Sequence, residues 1–130
     1  MKYLGVDYGK KKVGIALSDD SESFAFPLAV LDNSEKLLSE IEIICKKNKV
    51  EEIVMGESKD FLQRENEIMK DIVEFIKDLK KNLNLPVHLH PEFMTSIEAE
   101  RLQGKNEMHD ASAAALILKS YLDSKNSHGK

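Results

Sequence analysis

Several residue types that mark special classes of protein are scarce in this chain of 130 residues. The only cysteine, Cys45, excludes an intrachain disulfide, and it lies in an apolar helical pattern that predicts core packing rather than a reactive thiol. No apolar run is long enough to span a bilayer, and the first residues reach a charge too soon to hold the apolar core of a secretory signal. We therefore expect a cytoplasmic protein that does not contact membranes.

An excess of positive charge is also missing, since 19 lysines and arginines face 23 acids and the formal net charge is -4. This balance argues against a protein whose whole surface binds nucleic acid, but it leaves room for a local basic face. The length fits a single domain over residues 1–130, large enough to bury a core without disulfides or metals.

The hydrophobic pattern predicts alternating strands and helices. Strands are expected over residues 2–7, 12–18, 28–31, 51–56 and 86–90. Helices are expected from Asn33 or Ser34 to about 47, from beyond a loop at 57–60 to about 81, over 95–102 and over 108–122, followed by a frayed tail at 123–130. An antiparallel opening followed by alternation predicts an α/β fold, with one mixed sheet and helices on both faces.

Three acids stand at the ends of predicted elements. Asp7 ends the first strand before a turn at Gly9, Glu92 follows the last strand, and Asp110 opens an alanine-rich helix. If the three carboxylates converge, a divalent cation such as Mg²⁺ or Mn²⁺ would relieve their repulsion, and a pair of such cations could act on a phosphodiester. Each acid also has an ordinary structural explanation, as a turn residue, an exposed loop acid or a helix cap.

Two terminal motifs resemble those of the YqgF/RuvX family. The family pattern D-x-G-x-K-R-x-G-x-A is matched by Asp7 to Ala16, with Lys12 in place of the arginine. An acid followed by an alanine-rich helix ending in I-L-x-x-Y-L is matched by Asp110 to Leu122. The resemblance implies an RNase H-like nuclease fold and metal-dependent hydrolysis of structured nucleic acid, either pre-16S rRNA or a Holliday junction. It implies that Asp7, Glu92 and Asp110 are the catalytic metal ligands.

The middle motifs depart from the family. The expected G-L-P is replaced by Gly56-Glu57-Ser58, and D-E-R-x-T-[TS] becomes Pro91-Glu92-Phe93-Met94-Thr95-Ser96. Glu92 is kept and Thr95 and Ser96 stay candidates for nucleic-acid contact, but Phe93 cannot contact a phosphate as arginine could. Glu57 is either an additional catalytic acid or a loop acid. These changes bear on rate, substrate and activity rather than on the fold.

Two further groups of polar residues have open interpretations. The consecutive Lys10, Lys11 and Lys12 could contact a phosphate backbone beside Asp7, or they could form a solvated hairpin. His88 and His90 share one face of a strand, but a zinc site needs further ligands at matching spacing, so a structural or surface role is favoured.

Two other functions compete with the nuclease hypothesis. An actin-like or sugar-kinase ATPase opens with a similar D-x-G hairpin, but such proteins normally enclose nucleotide between two domains. A non-catalytic nucleic-acid-binding module on a degenerate nuclease fold would bind without cutting. A resolvase is expected to act as a two-fold homodimer, whereas a processing nuclease could act as a monomer.

Overall fold

The computed structural model describes residues 1–57, 67–91 and 109–128, which form five strands and three helices. The strands are β1 (Tyr3–Tyr8), β2 (Lys12–Ser18), β3 (Ala25–Asp32), β4 (Glu52–Glu57) and β5 (Val87–Pro91). The helices are α1 (Leu37–Asn48), α2 (Glu67–Leu83) and α3 (His109–His128).

The strands form one mixed sheet in the order β3-β2-β1-β4-β5. β1 pairs antiparallel with β2 and β2 antiparallel with β3, whereas β1 and β4, and β4 and β5, are parallel. The parallel strands therefore end at the same edge of the sheet. We call this edge, where β1, β4 and β5 end at Tyr8, Glu57 and Pro91, the carboxyl edge.

One face of the sheet packs on α1 and α2. One side of α2 is an apolar stripe, with Ile72, Phe75 and Leu79 buried. Large apolar side chains from the strands meet it because period two sends alternate residues to one face. The buried strand residues on this face are Leu4, Val6, Val13, Ile15, Leu17, Ile53 and Met55.

The opposite face packs on α3, as the prediction of helices on both faces requires. Small residues bring this helix close: a Cβ on Gly5 would lie 2.8 Å from Leu118 Cβ and 2.9 Å from the Ala114 carbonyl oxygen. Farther along α3, the Tyr121 ring lies 5.9 Å from the Tyr3 ring. The helix therefore runs antiparallel to β1, and its N-terminal end lies toward the carboxyl edge.

Three predicted boundaries are wrong. β3 begins at Ala25 rather than residue 28, because pairing with β2 extends it past Pro27 with a bulge between Ile15 and Ala16. α1 begins at Leu37, since the Ser34 hydroxyl accepts from the Lys36 amide and organises a turn before the helix instead of capping it.

The third wrong boundary is the end of the last helix. The tail expected to fray after residue 122 continues as helix to His128. Lys125 anchors it, because its Nζ donates to Glu22 Oε1 over 2.7 Å and lies 5.4 Å from the centre of the Tyr3 ring. The helix predicted over 95–102 lies outside the described residues.

Within residues 1–57, 67–91 and 109–128, none of the helices has the length and apolar character needed to cross a membrane.

Candidate active site

Asp7 lies near the carboxyl edge on the face that α3 covers. Tyr3, Gly5 and Asp7 point to this face by the alternation of β1, and Asp7 is half-buried. Directly opposite it on β2 is Gly14, which has no side chain to compete for the space. The predicted first ligand thus sits on a strand, directly opposite a glycine.

The backbone of Asp110 lies at the same edge and face. Ala114 of α3 lies over Gly5 of β1. Moving four residues back along the helix advances about 6 Å, and moving two residues on along the strand advances about 6.6 Å. Because the two elements are antiparallel, both steps lead toward the carboxyl edge, to Asp110 and Asp7. The side chain of Asp110 lies outside what the structure describes.

The remaining predicted acids are placed only by the strands that precede them. Glu57 is the last residue of β4, and β5 ends at Pro91 on the same edge. Glu92, together with Thr95 and Ser96, lies outside the described residues. The described part of the site therefore brings the backbones of Asp7, Glu57 and Asp110 to one edge, and leaves the convergence of the carboxylates as a prediction.

The donor set at this edge fits a hard divalent cation. Asp7 supplies carboxylate oxygens, which Mg²⁺ and Mn²⁺ prefer to nitrogen or sulfur ligands. Among the residues that the structure describes, no three histidines, cysteines or acids cluster closely enough to hold a metal. Asp7 would need partners from the predicted acids whose side chains lie outside that description.

The three consecutive lysines connect β1 to β2, and Lys12 is the first residue of β2. We call residues 9–12 the lysine turn; Lys10, Lys11 and Lys12 are all exposed. Lys12 Nζ donates to Asp32 Oδ1 over 2.5 Å, so an acid on β3 is its partner. The φ of Gly9 lies outside the left-handed region. Glycine is needed there because a Cβ would lie 2.5 Å from the Lys12 carbonyl oxygen.

His88 and His90 have structural partners, in agreement with the role favoured from sequence. His88 Nε2 lies 2.5 Å from Glu52 Oε1, and its ring stacks on Tyr121 at 5.3 Å. His90 Nε2 lies 3.0 Å from Ser120 Oγ, and burial lowers the pKa of its imidazole. The pair attaches α3 to β4 and β5.

Cys45 belongs to the core and not to the site. Its side chain is buried on the α1 and α2 face. Burial raises the pKa of the thiol to about 11, so the thiolate form that reacts is scarce at neutral pH.

Sequence reasoning missed the residues that hold these features in place. Glu52 could have been found by period two, since it shares a face with Val54 and the residue paired with Val54 on β5 is His88. Asp32 carried no local signal, because its partner Lys12 is 20 residues away and the pairing of β2 with β3 alone brings them together.

Comparison with known proteins identifies the family. The model of the RuvX family, described as a Holliday junction resolvase, matches residues 1–124. A protein of Nitratidesulfovibrio vulgaris named "Putative pre-16S rRNA nuclease" is 33% identical, over 95% of this chain and 94% of its own length. A protein of the same name from Rickettsia conorii is 33% identical, over 93% of this chain and 85% of its own length.

Solved structures agree on the fold. RuvC of T. thermophilus, in complex with a Holliday junction substrate, has a TM-score of 0.66 at 14% identity and covers 97% of this chain and 96% of its own. The fowlpox virus resolvase, in complex with Holliday junction DNA, has a TM-score of 0.62 at 15% identity, and the match covers 96% of this chain and 99% of the resolvase chain. The predicted RNase H-like fold is confirmed by these similarities.

Proposed function

Because the chain belongs to the RuvX family, we propose that it is a cytoplasmic, metal-dependent nuclease that hydrolyses phosphodiester bonds of structured nucleic acid within a single domain. The observation that carries this proposal is the position of Asp7. It lies at the edge where three parallel strands end and toward which α3 points its N-terminal end. The family match favours a nuclease over the ATPase considered from the sequence.

The acids would hold the metal. Asp7, Glu92 and Asp110 are the proposed ligands for Mg²⁺ or Mn²⁺, with Glu57 as a possible addition. When bound, such a cation lowers the pKa of a water ligand and neutralises charge on the phosphate. The chain's own contribution is to orient these carboxylates from strand and helix ends, and to offer the lysine turn, with Thr95 and Ser96, to the phosphate backbone.

Precursor 16S rRNA is the proposed substrate. Curated relatives that match nearly the whole chain carry that name, whereas the resolvases with solved junction complexes are similar only in fold. A four-way DNA junction is the second candidate, because the family model carries the resolvase description. Symmetric cutting of a junction would require a homodimer, and processing of rRNA would not.

The test compares the parent with Asp7→Asn and with Asp123→Asn. Labelled precursor 16S rRNA and a labelled four-way DNA junction are each incubated with protein in Mg²⁺, Mn²⁺ or EDTA. Asp123→Asn is the matched control, since Asp123 is an exposed acid whose 2.6 Å pair with Lys119 is a surface ion pair worth little. We expect metal-dependent cutting of the RNA that is lost in Asp7→Asn and kept in Asp123→Asn.

Each other outcome has a defined meaning. Cutting by Asp7→Asn at the parental rate would remove Asp7 from the site. Cutting of the junction alone would move the substrate from RNA to DNA. A folded parent that binds either probe but cuts neither with any metal would overturn the nuclease and leave the non-catalytic binding module, which the missing arginine at Phe93 allows.

A further inference from the structure

Asp32, the last residue of β3, and Asn33, which follows it, both contact the lysine turn. The side-chain Nδ2 of Asn33 donates to the Gly9 carbonyl oxygen over 2.7 Å, and the backbone N–H of Asn33 donates to the Lys11 carbonyl oxygen over 2.9 Å. The neighbouring Asp32 accepts from Lys12 over 2.5 Å. Two consecutive residues thus contact three of the four residues in the turn.

The turn has a physical need for such support. Three lysines in succession repel one another, and this repulsion favours an open, variable conformation of the chain. The side-chain hydrogen bond from Asn33 is partly buried, so water competes with it less than with an exposed one. The ion pair of Lys12 with Asp32 is exposed on both sides and contributes little stability on its own. Asn33 is therefore the stronger constraint.

The position of the turn gives this constraint a consequence for binding. Gly9 comes two residues after Asp7 in the chain. On the paired strand β2, Lys12 comes two residues before Gly14, which lies opposite Asp7. A nucleic acid that places a phosphodiester beside Asp7 would also place neighbouring phosphates at the lysine turn. Two residues of a β-strand span about 6.6 Å, and a nucleic-acid strand carries one negative charge about every 3.4 Å along its axis.

We infer that Asn33 is a positioning residue for nucleic-acid binding, which fixes the lysine turn so that Lys11 meets the phosphate backbone beside Asp7. The inference rests on the proposed function. Lys12, engaged by Asp32, takes part in holding the turn. Asn33 itself touches no substrate and acts through the backbone of the turn.

A double-mutant cycle in binding tests this inference. Affinities for precursor 16S rRNA and for a four-way DNA junction are measured in EDTA over a series of salt concentrations, for the parent, Asn33→Ala, Lys11→Gln and the double variant. We expect Asn33→Ala to weaken binding by about 2- to 10-fold, which is the effect of one hydrogen bond. We also expect it to lower the salt slope by up to about one phosphate contact.

The double variant separates positioning from simple structural support. If Asn33 acts through Lys11, the combined loss is smaller than the product of the two single losses, because the turn lysine is already gone. A merely structural role of Asn33 would leave the salt slope unchanged and the two losses multiplicative. Either of these results would overturn the inference.

Asn48→Ala is the matched control for Asn33→Ala. Asn48 is also partly buried and donates its Nδ2 to a backbone carbonyl, that of Ile44, over 2.8 Å, but it lies at the end of α1. We expect its affinity and salt slope to equal those of the parent. Asn33→Leu, which keeps the side-chain volume but not the donor, serves as the second variant if Asn33→Ala does not fold.

The proposed function and this inference fail in different ways. A folded parent that binds neither probe would overturn both. A parent that binds one probe while folded Asn33→Ala and Asn33→Leu bind it equally well, with the parental salt slope, would overturn the inference alone.

Discussion

The two faces of the sheet are built from different kinds of residue. The face that packs on α1 and α2 presents large apolar side chains such as Val6, Ile15 and Ile53. The face beneath α3 presents Gly5 and Gly14 beside Asp7, so the helix backbone approaches the strands closely. Residues of the two faces alternate along β1, because successive side chains of a strand point to opposite faces of the sheet.

The difference divides stability from chemistry. Burial of apolar area is the main favourable term in folding, and the cluster on the α1 and α2 face contains more of the buried apolar side chains than the cluster on the α3 face. The α3 face fixes where a helix end lies relative to a strand end, and a catalytic site depends on such positions. Damage to the first face should lower the free energy of unfolding, and damage to the second should lower activity in molecules that still fold.

The largest expected effect is on stability, from Leu79→Ala on the α1 and α2 face. Leu79 is fully buried, so truncation leaves a cavity and should lower the free energy of unfolding by about 2–5 kcal/mol. This is a large part of the roughly 5–15 kcal/mol typical of a domain. Urea unfolding measures the loss, and cleavage per folded molecule at low temperature should remain parental.

Val73→Ala on the same helix is the control for that experiment. Val73 is 42% exposed, so its truncation should lower the free energy of unfolding by much less than Leu79→Ala does. A drop in cleavage per folded molecule in Leu79→Ala would show that the two faces are not separable.

The second expected effect comes from Gly5→Ala on the α3 face. The added Cβ would meet both a side chain and the Ala114 carbonyl oxygen within 3.0 Å, and a backbone atom cannot rotate away. We expect the free energy of unfolding to fall by about 1–3 kcal/mol, as in other overpacked cores. Because α3 must shift, cleavage by the folded variant should fall by up to about 100-fold, the effect of a catalytic group misplaced by about 1 Å.

The contrast with Leu79→Ala decides the interpretation of Gly5→Ala. At a temperature where both variants are folded by circular dichroism, their cleavage rates are compared. If both variants cleave at the parental rate, the packing of α3 against β1 does not set the geometry of the site.

Much of the fold could be predicted from short-range patterns. The hairpin around Gly9 and the stripe of α2 follow from period two and period 3.6, which are visible in a window of a few residues. The family motifs added the fold type and the prediction that Asp7, Glu92 and Asp110 are the catalytic acids. The position of Asp7 on the α3 face is then fixed by alternation along β1.

What could not be predicted depends on contacts between distant residues. The hydrogen bond from Asn33 to Gly9 joins positions 24 apart, and the pair of Lys125 with Glu22 joins positions 103 apart. Because of the first contact, Asn33, which was predicted as a helix cap, supports the lysine turn instead. The second contact holds the end of α3 in helical form, although the sequence of residues 123–128 predicts fraying. Neither contact leaves a periodic signal in the chain.

The smallest expected effect concerns pH and the attachment of α3 to β5. Burial lowers the pKa of His90, whereas in the unfolded chain the imidazole titrates near 6.5. Above that pH His90 is neutral in both states and contributes no pH dependence. As the pH falls through about 6.5, the unfolded chain takes up a proton that the folded chain resists, so the free energy of unfolding should decrease.

His90→Gln isolates this contribution, since the other three histidines are common to both proteins. Urea unfolding is measured at pH 7.5 and at pH 5.5 for the parent and the variant. The parent should lose more stability between the two pH values than His90→Gln does, because glutamine cannot be protonated. Among the residues that the structure describes, the His90 ring contacts Ser120 and Tyr121, and neither is charged in this range, so no carboxylate of the described residues offsets the burial. Equal losses in the two proteins would mean that His90 is as well solvated in the folded chain as in the unfolded one, and that α3 does not close over this end of β5.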